Sequence, residues 1–267
     1  MPNRIETCFA HLRAARRKGF IPYICAGDPT LKATVDLSLA LEKAGADILE
    51  LGVPFSDPLA DGIVNQLAAQ RALSAGATVR GVLDCVREIR KKSEIPIVLY
   101  TYANPIMQFG FAEFHRVAQE AGVDGVLILD LPPEEDLEAF AGDLIHIRLI
   151  APTTPPERVS RIAQGARGFL YYVSREGVTG ARQTLASSLA GKLAELRKAS
   201  ELPIAVGFGI STADQAREVA GCADAVVVGS AIVSQIAEHG GKPGLAERVV
   251  AFVKPIAAAV KDAGSRA

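Results

Sequence analysis

Short apolar runs alternate with amphipathic stretches along the whole chain. Residues 20–25, 46–52, 95–100, 125–129, 145–150, 168–173, 204–206 and 225–228 are mostly apolar, and most end at or within two residues of Gly, Pro, Asp or Ser, which predicts buried strands. The stretches between them predict helices over 31–44, 63–75, 78–91, 111–121, 134–141, 155–163, 185–199, 212–220, 231–237 and 244–262. Thr30 is suited to cap the first of these and Ser211 the helix over 212–220. Pro155 suits a helix start, and Gly76 breaks 63–75 from 78–91. One more amphipathic helix, over 3–17, carries Ile5, Phe9, Leu12 and Ala15 near helical spacing. It precedes the first strand, so it is expected to cap the structure or pack beside it.

About eight strand-then-helix units at even spacing predict an α/β fold. Uniformly apolar strands are expected where a barrel interior or a helix layer covers each face. No composition shift or linker divides the chain, so the expectation is one (β/α)8 TIM-barrel domain over 1–267 with an extra N-terminal helix. A doubly wound open sheet is the competitor; it needs fewer repeats or a second domain.

Composition narrows the function. The chain has 267 residues, 49% hydrophobic and 22% charged, with net charge −1 from 29 basic and 30 acidic residues. That balance gives no electrostatic footprint for nucleic acid or an anionic membrane. Cys8, Cys25, Cys85 and Cys222 lie far apart without a C-x-x-C pair, which fits reduced thiols and a cytoplasmic protein. Residues 1–19 lack an apolar signal core, and no apolar run is long enough to span a bilayer.

In a barrel, chemistry belongs at the C-terminal strand ends. Glu50 interrupts the apolar run Ile48-Leu49-Glu50-Leu51. Strand periodicity sets Ile48 and Glu50 on one face and Leu49 and Leu51 on the other. A carboxyl group there needs a partner or a function, because burying a charge is costly. Asp61 follows eleven positions later, after a Pro-bracketed loop. An apolar strand end raises a Glu pKa toward working pH, whereas a polar loop suits a carboxylate. Three Gly-rich loops, Ser174–Gly180, Gly207–Ser211 and Gly229-Ser230, close strands six, seven and eight. Together they suit a phosphate, since glycine admits a ligand close to the backbone and helix starts bind anions. The nucleotide patterns G-x-x-x-x-G-K-[ST] and G-x-G-x-x-G are absent. Loop 174–184 is long for its place and suits a mobile lid. Tyr23, Tyr100, Tyr102 and Tyr171, at or near strand ends, suit an aromatic pocket, although core packing explains any one of them. His11, His115, His146 and His239 lack metal-ligand spacing, and no metal is expected.

The segments Glu50–Gly62 and Tyr172–Gly180 resemble the tryptophan synthase alpha chain family. Gly27-Asp28-Pro29, Tyr102–Pro105, Gly207–Ser211 and Gly229–Val233 match it too, in order. The resemblance implies cleavage of indole-3-glycerol phosphate to indole and glyceraldehyde 3-phosphate, a retro-aldol step without a cofactor. It implies that Glu50 is the general acid/base and that Asp61 binds the indole N–H. It also implies a phosphate grip at Gly180, Gly209, Gly229 and Ser230, a lid residue at Thr179 and a pocket residue at Tyr171. The loop containing Pro54 and Asp57, with Asn104 and Pro105, is implied to meet a beta chain in an α2β2 tetramer. Pyridoxal phosphate is implied in that partner only. One stretch departs from the family. After Gly62 the family usually reads Pro-Thr/Val-Ile-Gln, whereas this chain has Ile63-Val64-Asn65-Gln66. The departure removes a preset φ at the start of the helix and puts a polar residue, Asn65, where an apolar one is usual. Two alternatives stay open: a stand-alone lyase releasing free indole, and a catalytically weak barrel serving as a regulatory or binding subunit.

Overall fold

The computed structural model describes residues 3–132, 143–173, 182–207 and 209–264. Nine parallel strands form one sheet among them: β1 (Gly19–Cys25), β2 (Leu49–Gly52), β3 (Ile97–Thr101), β4 (Gly125–Ile128), β5 (Ile145–His146), β6 (Arg148–Ile150), β7 (Leu170–Val173), β8 (Ile204–Gly207) and β9 (Ala225–Val228). Their order is β5-β4-β3-β2-β1-β9-β8-β7-β6, so β1 lies mid-sheet beside the last strand. β5 and β6 form one barrel stave interrupted at Ile147. The first half pairs with β4 and the second with β7, which nearly closes a TIM barrel. The single strand expected over 145–150 is therefore two, because the stave changes partner part-way along.

Strand parity sorts the core into two layers. Leu49 and Leu51 face outward with Ile24, Ile97, Leu99 and Val126, against the helices. Ile48, Ile21, Val98 and Leu127 fill the barrel interior.

Helix α1 (Arg4–Ala14) closes the N-terminal end of the barrel. Asn3 caps it by accepting from the Ile5 N–H at 2.9 Å, and Ile5, Phe9 and Leu12 join the interior cluster. Of the two placements expected for this helix, the structure adopts the cap. A cavity lies at the opposite end, where the strands give way to their C-terminal loops.

The connecting helices are α2 (Leu31–Lys43), α3 (Ile63–Ser74), α4 (Val79–Arg90), α5 (Ala103–Phe109), α6 (Phe111–Ala121), α7 (Pro156–Gln164), α8 (Arg182–Ala199), α9 (Ala213–Ala220), α10 (Ser230–His239) and α11 (Leu245–Gly264). Thr30 caps α2 as expected. The cap of α9 is Thr212 rather than Ser211: Gln215, three residues on, completes a capping box with Thr212. Ser211 instead donates to Gln215 Oε1. The helix expected over 134–141 lies outside the described residues. Helix α5 has no counterpart among the expected helices; Pro105 fits there because it lies in the first helical turn. Arg71 on α3 makes a two-pronged ion pair to buried Asp28, at 2.9 and 2.7 Å. That pair ties α3 to the loop after β1, and so fixes the helix that follows Asp61.

Candidate active site

Glu50 lies on β2, paired with Tyr23 of β1 and Val98 of β3. The residue is 2% exposed. No described residue gives its side chain a hydrogen bond or an ion pair, so its charge finds no compensation among them. Burial, and secondarily the charge of Asp61, push its pKa up to about 8. The carboxyl group is thus poised to give or take a proton near neutral pH.

Asp61 has the opposite surroundings. The Tyr100 hydroxyl donates to its Oδ1 at 3.0 Å, and the Tyr102 hydroxyl to its Oδ2 at 2.8 Å. Asn65 Nδ2 donates to Oδ1 at 3.4 Å, and Gln66 Nε2 to the Asp61 carbonyl at 2.8 Å. Burial, together with Asp61, raises the pKa of both phenols, so they stay protonated as donors. The Tyr102 hydroxyl also accepts the Ala60 N–H at 3.0 Å. One phenol therefore holds both the carboxylate and the loop that carries it. The departure at residues 63–65 leaves Asp61 anchored, because Asn65 and Gln66 grip it from the first turn of α3.

Both acids line one cavity of about 800 Å³ at the C-terminal end of the strands. Tyr23, Tyr100 and Tyr171 line it as well, with apolar Leu129, Leu149 and Val227. Tyr23 and Tyr100 meet edge to face, with centroids 5.0 Å apart. Close backbone approach seats the rings: a Cβ on Gly207 would lie 2.6 Å from the Tyr171 hydroxyl oxygen, and one on Gly52 2.3 Å from that of Tyr23. Gly209, Gly229 and Ser230 line the same cavity. Ser230 opens α10; the Ile232 N–H turns back to the Gly229 carbonyl at 2.8 Å, whereas the N–H groups of Ser230 and Ala231 come too early in the helix for a partner within it. That end is suited to an anion.

Eight of the expected site residues thus meet in one cavity: Glu50, Asp61, Tyr23, Tyr100, Tyr171, Gly209, Gly229 and Ser230. Thr179 and Gly180, with most of the expected lid, lie outside the described residues. Pro54, Asp57, Asn104 and Pro105 are not in the cavity lining. Asp57 and Asn104 are exposed, Pro105 is half-buried, and Pro54 is buried within the chain. Sequence reasoning misses the hold that Tyr102 and Asn65 have on Asp61, since it gives Tyr102 only a place in the pocket wall and Asn65 none. The signals are there: Tyr102 follows Tyr100 by two at a strand end, and Asn65 follows Asp61 by four across a helix start.

A family model described as tryptophan synthase alpha chain matches residues 9–261. The tryptophan synthase alpha chain of Opitutus terrae is 50% identical over 259 residues, covering 96% of each chain. That of Geobacter sulfurreducens is 48% identical over 262 residues, covering 97% of this chain and 99% of the relative. Among solved structures, tryptophan synthase subunit alpha from Legionella pneumophila superposes with a TM-score of 0.90 at 40% identity, covering 98% of this chain and all of that one (100%).

Proposed function

Because the chain belongs to the tryptophan synthase alpha chain family, we propose that Glu50 and Asp61 carry out its reaction. The chain is a lyase of tryptophan biosynthesis that cleaves indole-3-glycerol phosphate to indole and glyceraldehyde 3-phosphate. In the proposed cycle, protonated Glu50 gives its proton to indole C3, forming the indolenine tautomer. Asp61 accepts a hydrogen bond from the ring N–H and stabilises the positive charge that develops there. Glu50, now a carboxylate, takes the proton of the glycerol hydroxyl. The carbon–carbon bond breaks, its electron pair restores the indole ring, and the aldehyde leaves. Glu50 ends as it began, so the cycle asks nothing of a cofactor. The observation that carries this reading is Glu50 itself, buried without a partner among the described residues and raised to about 8.

Gly209, Gly229 and Ser230 are proposed to hold the substrate phosphate, with Gly180 and with Thr179 closing over the site. Tyr23, Tyr100 and Tyr171 are proposed to enclose the ring. The beta chain is the partner, and α2β2 is the proposed stoichiometry, with pyridoxal phosphate in the partner. Its proposed docking face includes Asp57 and Asn104, where Leu59 is 92% and Met107 59% exposed. Pro54 is proposed to shape that loop from beneath. Tyr102 links the loop to Asp61, which gives partner binding a short route to the site.

The test is indole release by the purified chain, alone and with a beta chain. Strong activation by the partner is expected, and equal rates in both conditions favour a stand-alone lyase. Leu59→Asp and Met107→Lys are each expected to weaken beta-chain association about tenfold or more, while leaving the unassisted rate near parental. Loss of the unassisted rate in both variants would count against a separate docking face.

A further inference from the structure

Asn65 stands in the first turn of α3 and lines the cavity beside Asp61. Its Nδ2 donates to Asp61 Oδ1, which leaves its own Oδ1 buried without a hydrogen-bond partner among the described residues. Turning the amide over would set that oxygen against the carboxylate, so charge fixes the orientation. A buried carbonyl oxygen without a donor is costly, and a ligand bringing an N–H or O–H relieves it. Tyr100 and Tyr102 already supply one donor to each Asp61 oxygen, so a donor arriving at Asp61 enters a crowded shell in which Asn65 Oδ1 is the unfilled acceptor.

We propose that Asn65 is a positioning residue for Asp61 and that its Oδ1 serves as a second acceptor for the ring N–H of the bound substrate. The proposal rests on the reading of Asp61 given above. It assigns recognition of the ring nitrogen to a carboxylate and an amide acting together, with Gln66 holding the Asp61 backbone from the same helical turn.

The test uses two ligands bound to the full chain: an indol-3-yl propyl phosphate and its benzofuran counterpart, which has oxygen in place of N–H. Dissociation constants are measured for the parental protein, Asn65→Leu and the smaller Asn65→Ala, with thermal melts confirming that each variant folds. The parental chain is expected to prefer the indole ligand. Both variants are expected to lose about fivefold of that preference while binding the benzofuran ligand within about twofold of parental. An unchanged preference in either folded variant, or an equal loss for both ligands, overturns the proposal and leaves the Asp61 role standing. A parental chain without any preference overturns the Asp61 role and this proposal together.

Discussion

Glu50→Gln is expected to lower indole release by about 10³-fold or more, because one carboxyl group serves both proton transfers and each such step typically contributes ~10²–10⁴-fold. Binding of a substrate analogue is expected to survive, since Gln keeps the size of Glu and Glu50 has no described protein partner to lose. The same substitution is expected to stabilise the fold at alkaline pH. Unfolded, Glu50 has its ordinary value near 4.5; folded, it lies at about 8. Between those values the folded chain holds a proton that the unfolded chain has released, so stability falls as pH rises and levels off above about 8. Gln removes that loss. The variant's gain in stability, read from denaturant melts across pH, is therefore expected to be near zero around the ordinary value of 4.5 and largest above about 8, where it reaches the order of a few kcal/mol. A rate near parental, or a gain that shrinks with rising pH, contradicts this role for Glu50.

Asp61→Asn is expected to reduce kcat by about 10²–10³-fold with a smaller change in KM, since its charge is needed as positive charge develops on the ring. The variant keeps a similar shape, so the Tyr100 and Tyr102 contacts are disturbed by one reversed polarity only. Removing the charge also withdraws the second cause of the raised Glu50 pKa, so the pH dependence of any residual rate is expected to move toward lower pH. Steady-state kinetics across pH measure both effects. A variant with unchanged kcat contradicts the role of Asp61.

Glu50 is legible in the sequence because two-residue periodicity in an apolar strand leaves a carboxylate few places to point. The anion-suited end is legible because three Gly-rich loops fall after successive strands. The clamp on Asp61 is not. It joins the end of β3 to the first turn of α3, and only the closure of the barrel brings Tyr102 and Asn65 to one carboxylate. The split of the fifth stave is hidden for a similar reason, since a change of pairing partner at Ile147 leaves no mark on the pattern of a single strand. Helix α5 is hidden by Pro105, which reads as a breaker until it is placed in a first turn.

A buried Glu50, without a partner among the described residues and holding its proton to near pH 8, is the feature on which the chemistry depends. The direct measurement is a carboxyl titration of the purified chain by isotope-edited spectroscopy, with Glu50 identified as the signal missing from Glu50→Gln. A midpoint near 8 is predicted, and a midpoint near the ordinary value of 4.5 would contradict the assignment.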